Sequence, residues 1–99
     1  MKISRPKIET LMINYLSKEA KKRKINKNLR LNKIDFIEKE VIDSLGFLTF
    51  ISYLEKKLKI EIDLSNENPE NLTKVHKLAN IIYKKNKWKN ILKKNLRLL

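Results

Sequence analysis

Glycine and proline are scarce in this chain, which has one glycine and two prolines among its 99 residues. Tight hairpin turns and phosphate-binding loops depend on glycine above all, so a sheet of successive hairpins and a glycine-rich nucleotide loop are both excluded. The chain has no cysteine and one histidine, which excludes a disulfide framework, a thiolate zinc site, a cysteine nucleophile and a multi-histidine metal cluster. We therefore predict an all-α domain with no metal site.

Apolar residues recur at spacings of three and four in three segments, as on the buried face of a helix. They predict a first helix over about 7–22, a second over about 44–58 and a final helix over about 72–83. Asp43 is the predicted N-cap of the second helix, and Ser44 opens its first turn. The predicted core positions are Ile8, Leu11, Met12, Tyr15, Leu16, Leu48, Ile51, Leu54, Leu58, Leu72, Val75, Leu78, Ala79 and Ile82.

The remaining segments lack a clear helical period. Residues 23–42 form a long predicted loop, which apolar side chains attach to the core. These side chains are Leu29, Leu31, Ile34, Phe36 and Ile37. Residues 59–63 alternate as a strand does, but the sequence offers no convincing pairing partner. We therefore predict an extended connector with Ile60 and Ile62 turned inward. His76 lies off the apolar stripe of the final helix, and we expect it to face solvent.

Basic residues outnumber acidic residues by 24 to 11, a formal net charge of +13. Residues 1–34 carry 11 basic and 2 acidic residues, and residues 35–83 carry 6 basic and 9 acidic residues. Residues 84–99 carry 7 basic residues and no acidic residue. Such a balance suggests an anionic partner, although the abundance of Lys, Asn and Ile also fits a compositional bias. Within 84–99, apolar residues share one helical face among lysines, which predicts a basic amphipathic extension that continues the final helix or forms its own. Those apolar residues are Trp88, Ile91, Leu92, Leu96 and Leu99.

A series of short motifs runs through the middle of the chain. Its members are VIDSLGF at residues 41–47, LEKKL at 54–58, IEI at 60–62, NPENL at 68–72, and Val75. In this order and spacing, the series resembles the acyl carrier protein family, also called phosphopantetheine-attachment domains. The resemblance covers about residues 8–82 and is strongest over residues 36–75.

The resemblance implies a small bundle of three main helices plus a short helix over residues 1–83. In that family the serine of the D-S-L motif receives 4'-phosphopantetheine from coenzyme A, which implies attachment at Ser44. The rest of the motif is Asp43, Leu45 and Gly46. The arm ends in a thiol that carries acyl or aminoacyl groups as thioesters in fatty-acid, polyketide or nonribosomal-peptide biosynthesis. The implied partner-binding positions are Leu45, Phe47, Thr49, Ser52, Glu55 and Lys56.

By this resemblance the protein is a carrier and not an enzyme. Its partners would be a phosphopantetheinyl transferase and the enzymes that load and transfer acyl or aminoacyl groups. The first residues lack an apolar signal segment and no apolar run is long enough to span a membrane, so we expect a cytoplasmic protein, and a monomer.

Two other functions stay open at this point. The basic ends could form a helical binding module for a membrane surface or for nucleic acid, with residues 84–99 as the anionic-surface candidate. Nucleic acid is the weaker partner, because aromatic residues are few and do not alternate with basic ones. A carrier fold without the arm could also act as an interaction protein. The sequence departs from the family at the outer side of the second helix, where acids are few, and at residues 64–68, where the family has a short acidic helix.

Overall fold

The computed structural model describes the backbone of residues 3–25 and 30–97 and the side chains of residues 3–25 and 30–88. Across these residues the chain forms three α-helices and no β-strand: α1 (Arg5–Lys22), α2 (Ser44–Leu58) and α3 (Val75–Arg97). The predicted all-α fold class is confirmed. Where the short helix was expected, the described chain has a turn at residues 65–66 and a 3₁₀ turn at Pro69–Asn71. Leu29, Ile91, Leu92, Leu96 and Leu99 lie outside the described side chains.

Local signals define both ends of α1. The Ser4 side chain accepts a hydrogen bond from the Lys7 N–H (3.3 Å), and Pro6 lies in the first turn, where a helix makes no use of its missing N–H. The helix ends at Lys22, and Lys24 has a left-handed φ of 55°. The buried face of α1 consists of Ile8, Met12 and Leu16.

The buried face of α2 differs from the predicted stripe at one position. Ile51, Leu54 and Leu58 are buried as predicted, but Leu48 is 63% exposed and Phe50 is buried in its place. Phe50 lies between two rings from other segments, with its centroid 4.9 Å from that of Tyr15 and 5.7 Å from that of Phe36. These aromatic contacts draw the Phe50 side of the helix into the core and leave Leu48 facing solvent.

Helix α3 begins at Val75, three residues later than predicted, because the residues before it pair with the long loop. The Phe36 N–H donates to the Thr73 carbonyl (2.9 Å), and Asp35 and Lys74 form an isolated antiparallel bridge. The helix then continues without a break to Arg97, so no helix boundary lies at residue 83. Its buried residues among the described side chains are Val75, Leu78, Ala79 and Ile82.

Asp35 joins the long loop to the start of α3. Its Oδ1 accepts hydrogen bonds from the Ile37 N–H (3.0 Å) and the Glu38 N–H (2.9 Å), and its Oδ2 accepts one from the Thr73 hydroxyl (2.7 Å). Burial raises the pKa of Asp35, but these hydrogen bonds and the positive charge of Lys74 outweigh it, so the net pKa lies below its ordinary value. The carboxylate is thus held in its charged form.

The loop and the connector both contribute to a single core. Phe36, Val41 and Ile42 are fully buried on the loop, while Ile60 and Ile62 of the connector are half-buried and pack against the core, as predicted. The core therefore does not depend on helix faces alone, and the loop that precedes α2 is fixed to it.

Candidate functional site

Ser44 is the first residue of α2, and the residue before it sets the helix start. Asp43 has extended backbone angles, and its Oδ1 accepts a hydrogen bond from the Gly46 N–H (2.6 Å). Its backbone carbonyl accepts one from the Phe47 N–H (2.9 Å). Asp43 is therefore the N-cap, as predicted, and the exposed Ser44 side chain stands at the end of the helix where backbone N–H groups point outward.

Gly46 fits closely against this cap. A Cβ at Gly46 would lie 3.0 Å from Asp43 Oδ1 and 3.5 Å from the Ile42 Cβ. The backbone angles here are helical and place no demand on glycine. The capping carboxylate thus occupies the space that a side chain at Gly46 would need. A glycine here can accommodate this cap and also leave room for a group on Ser44.

Arg23 brings a positive charge from the end of α1 to the start of α2. Its Nη1 donates to the Glu40 carbonyl (3.3 Å), and its Nη2 lies 3.8 Å from Asp43 Oδ2. Both side chains of this ion pair are well exposed, so the pair adds little stability. Its consequence is positional, since the guanidinium is held beside the residue that precedes Ser44.

Two open clefts meet at Ser44. One has a volume of about 740 Å³ and mixes basic, acidic and apolar side chains, with Arg23 and Lys39 as its cations. The other is smaller, about 240 Å³, and mostly apolar. Beside Ser44, the smaller cleft is lined by Ile37, Phe47, Pro69, Leu72 and Thr73. Ser44 and Ile37 are the residues that the two clefts share, and of the two Ser44 carries the hydroxyl.

The predicted partner-binding positions fall into two groups. Leu45 is 75% exposed, and Thr49, Ser52 and Lys56 are exposed with it on the outside of α2. Phe47 and Glu55 are half-buried and engaged within the chain. The Phe47 ring stacks on that of Phe36 at 6.2 Å, and Glu55 Oε2 accepts the Ile62 N–H at 3.0 Å.

Sequence reasoning missed several residues around Ser44. Arg23 falls in the predicted loop with no role, but it lines the larger cleft at Ser44. Leu48 is predicted to be core but adds to the exposed apolar surface beside Leu45. The Phe50 ring, two positions from Leu48, was the available signal against Leu48, because both cannot occupy the centre of one helical face. Nothing local in the sequence placed Arg23 near Asp43, since 20 residues separate them.

Other parts of the surface offer less chemistry. A wide groove of about 880 Å³ runs between α1 and the start of α3, and His76 lies at its edge, exposed as expected. Among the described residues, no three His, Cys, Asp or Glu side chains are grouped to hold a metal ion. In the same part of the chain, no helix combines the length and apolar character needed to cross a membrane.

No family model matches the chain, and neither the curated proteins nor the solved structures contain a match to it.

Proposed function

We propose that this protein is a carrier that accepts a 4'-phosphopantetheine arm on Ser44 and is not itself an enzyme. The observation that carries the proposal is the position of Ser44: exposed, first in its helix, and shared by a cleft with two cations and a cleft with apolar walls. The resemblance of residues 36–75 to acyl carrier proteins supports the same assignment.

The residues around Ser44 suit a phosphodiester attached to its oxygen. The N–H groups of Gly46 and Phe47 bond to Asp43, which leaves those of Ser44 and Leu45 available at the positive end of the helix dipole. A phosphate on Ser44 would lie at this end, where an anion is favoured. Arg23 and Lys39 supply further positive charge, partly balanced by Glu40 and Asp43 in the same cleft.

The arm contains both polar and apolar groups. Of the two clefts, one has charged side chains and the other has mostly apolar walls. Phe47, Leu72 and Ile37 offer an apolar wall next to the attachment point, where part of the arm could be covered. When attached, the arm would supply a thiol that carries acyl or aminoacyl groups as thioesters. The absence of cysteine from the chain is no obstacle, because that thiol belongs to the cofactor.

Loading would break a phosphoanhydride bond of coenzyme A and form a phosphate ester on Ser44. The Ser44 hydroxyl gives up its proton, and its oxygen bonds to the phosphorus that bears pantetheine. The bond from that phosphorus to the rest of coenzyme A breaks, and the adenosine bisphosphate leaves with the electron pair. A phosphopantetheinyl transferase would supply the catalysis, so this chain needs to provide only a reachable serine.

Enzymes that visit the carrier would meet the outside of α2. Leu45 and Leu48 give this surface an apolar centre. The exposed Thr49, Ser52 and Lys56 surround it without a negative charge. We expect such partners to depend on apolar contact with the two leucines more than on pairing basic residues with acids of α2.

Intact-mass measurement tests the proposal. The purified protein is incubated with coenzyme A and a broad-specificity phosphopantetheinyl transferase, and we expect it to gain the mass of one phosphopantetheine group. Ser44→Ala should gain nothing. Ser17→Ala, which removes a serine of α1 that lines neither cleft at Ser44, should be loaded as the unaltered protein is.

Circular dichroism would show that both variants remain folded. No gain in the unaltered protein, or an equal gain in Ser44→Ala, would overturn the proposal. The first of these results would favour the alternative of a carrier-like fold that acts as an interaction protein without the arm.

A further inference from the structure

Helix α3 continues beyond the last of its buried side chains that the structure describes. Ile82 is its last buried residue among the described side chains, yet the helix continues to Arg97. The 15 residues after Ile82 span about 22 Å at the usual helical rise. Trp88 lies on this extension and is 63% exposed.

The extension is also uniformly basic. Residues 84–99 contain six lysines and one arginine and no acidic residue. Lys85 is held to the bundle, because its Nζ lies 3.3 Å from Glu67 Oε1 and donates to the Asp63 carbonyl. Lys84 and Lys87, on either side of Lys85, are exposed. The extension thus begins from a fixed point and presents positive charge beside an exposed indole.

We propose that this extension, α3 from Lys84 to Arg97, binds the surface of anionic lipid bilayers. Beyond Trp88 the sequence continues with Ile91, Leu92 and Leu96 at spacings of three and four, and lysines and asparagines occupy the intervening positions. An amphipathic helix with lysines and a tryptophan suits the boundary between headgroups and acyl chains. Lysine is a compact point charge, well matched to a surface of many mobile anions.

A lipid surface explains this pattern better than nucleic acid does. A duplex would use the positive charge but would leave the exposed Trp88 indole without an apolar contact, and a single strand would require several aromatic side chains for stacking. The extension has one aromatic residue, Trp88. The inference is independent of Ser44, so it survives or fails apart from the proposed carrier function.

The chain carries its own probe for this test, because Trp88 is its single tryptophan. The full-length protein is titrated at low salt with vesicles of phosphatidylcholine alone and with vesicles that also contain phosphatidylglycerol. With the anionic vesicles we expect the Trp88 emission to shift to the blue and its quenching by acrylamide to fall. Added salt should weaken the binding, and neutral vesicles should cause little change.

Charge-reversal variants show whether the extension is responsible. Lys84→Glu with Lys87→Glu should weaken binding to the anionic vesicles by at least about tenfold, since charge near a lipid surface contributes directly to affinity. Lys18→Glu with Lys21→Glu makes the same change in net charge at two exposed positions of α1. This control should bind to within about threefold of the unaltered protein, because its charges lie outside the extension.

Three results would overturn the inference. One is the absence of a Trp88 shift with anionic vesicles. Another is equal weakening in the α1 control, which would mean that net charge alone drives adsorption. The last is salt-sensitive binding to duplex DNA that shifts the emission as far as the vesicles do, which would assign the extension to nucleic acid. Circular dichroism of each variant checks that the helices are intact.

Discussion

Replacing Asp35 should have a larger effect on stability than replacing any other charged residue near the candidate site. Its carboxylate accepts three hydrogen bonds, two from backbone N–H groups within its own loop and one from Thr73 at the start of α3. Asp35→Ala removes all three and leaves the N–H groups of Ile37 and Glu38 without their acceptor.

The magnitude follows from the number and kind of these bonds. A hydrogen bond to a charged group contributes about 1.5–3 kcal/mol, and partial exposure reduces each of the three. We therefore expect Asp35→Ala to lower the free energy of unfolding by about 3 kcal/mol. In a domain of this size that loss lowers Tm by about 12–20 °C. Asp35→Asn keeps an oxygen that can accept the two N–H groups, and it should lose about 1 kcal/mol.

The pH dependence provides an independent check. The folded protein holds the pKa of Asp35 below its ordinary value of 3.8. The stability that the carboxylate adds is therefore complete above the pKa of the unfolded chain and is lost as the pH falls through the lower folded pKa. Asparagine does not titrate, so the gap in stability between the unaltered protein and Asp35→Asn should narrow below about pH 4.

Urea unfolding of each variant, followed by circular dichroism near neutral pH and near pH 3, would measure both effects. Glu38→Gln is the matched control, since it neutralises an exposed acid three residues away and should change stability by less than about 0.5 kcal/mol. The reasoning is refuted if Asp35→Ala loses no more than this control, or if the gap to Asp35→Asn is the same at both pH values.

Two further predictions concern α2. Asp43→Ala should lower the free energy of unfolding by about 1 kcal/mol because the hydrogen bond from the Gly46 N–H is lost. Asp43→Asn keeps an acceptor for this N–H and should retain most of that stability in the same urea assay. Equal losses in both variants would contradict the capping role. Leu48→Gln should change the free energy of unfolding by less than about 0.5 kcal/mol because Leu48 is exposed. Leu54→Ala removes a buried core side chain and should lower the free energy of unfolding by about 2–5 kcal/mol. A comparable loss in Leu48→Gln would show that Leu48 is buried.

The helices were predictable because their signals are local. Spacings of three and four predicted the buried residues of α1, and Asp43 before Ser44 predicted the start of α2 at the residue where the structure has it. Capping and periodicity act within a few residues, so a sequence displays them directly. The same locality explains why Ser44 could be placed in the first turn of α2.

The errors come from contacts between distant segments. Leu48 and Phe50 compete for one helix face, and the choice is made by the rings of Tyr15 and Phe36 from α1 and the loop. The start of α3 is displaced because the Thr73 carbonyl accepts the N–H of Phe36. Neither pairing has a local pattern, since the partners lie tens of residues apart along the chain.

The pairing of residues 35–36 with residues 73–74 also has a consequence for how the molecule opens. It joins the two ends of a 38-residue span. This pairing therefore closes α2 and its flanking segments into a loop. Closing this span costs conformational entropy once, and the buried Phe36, Val41 and Ile42 also hold it to the core. The backbone N–H of Phe36 donates to the Thr73 carbonyl across this pairing. It should therefore exchange with solvent deuterium as slowly as the amides in the middle of α2. We therefore expect the candidate serine to belong to one cooperative unit of the fold rather than to an independently moving loop.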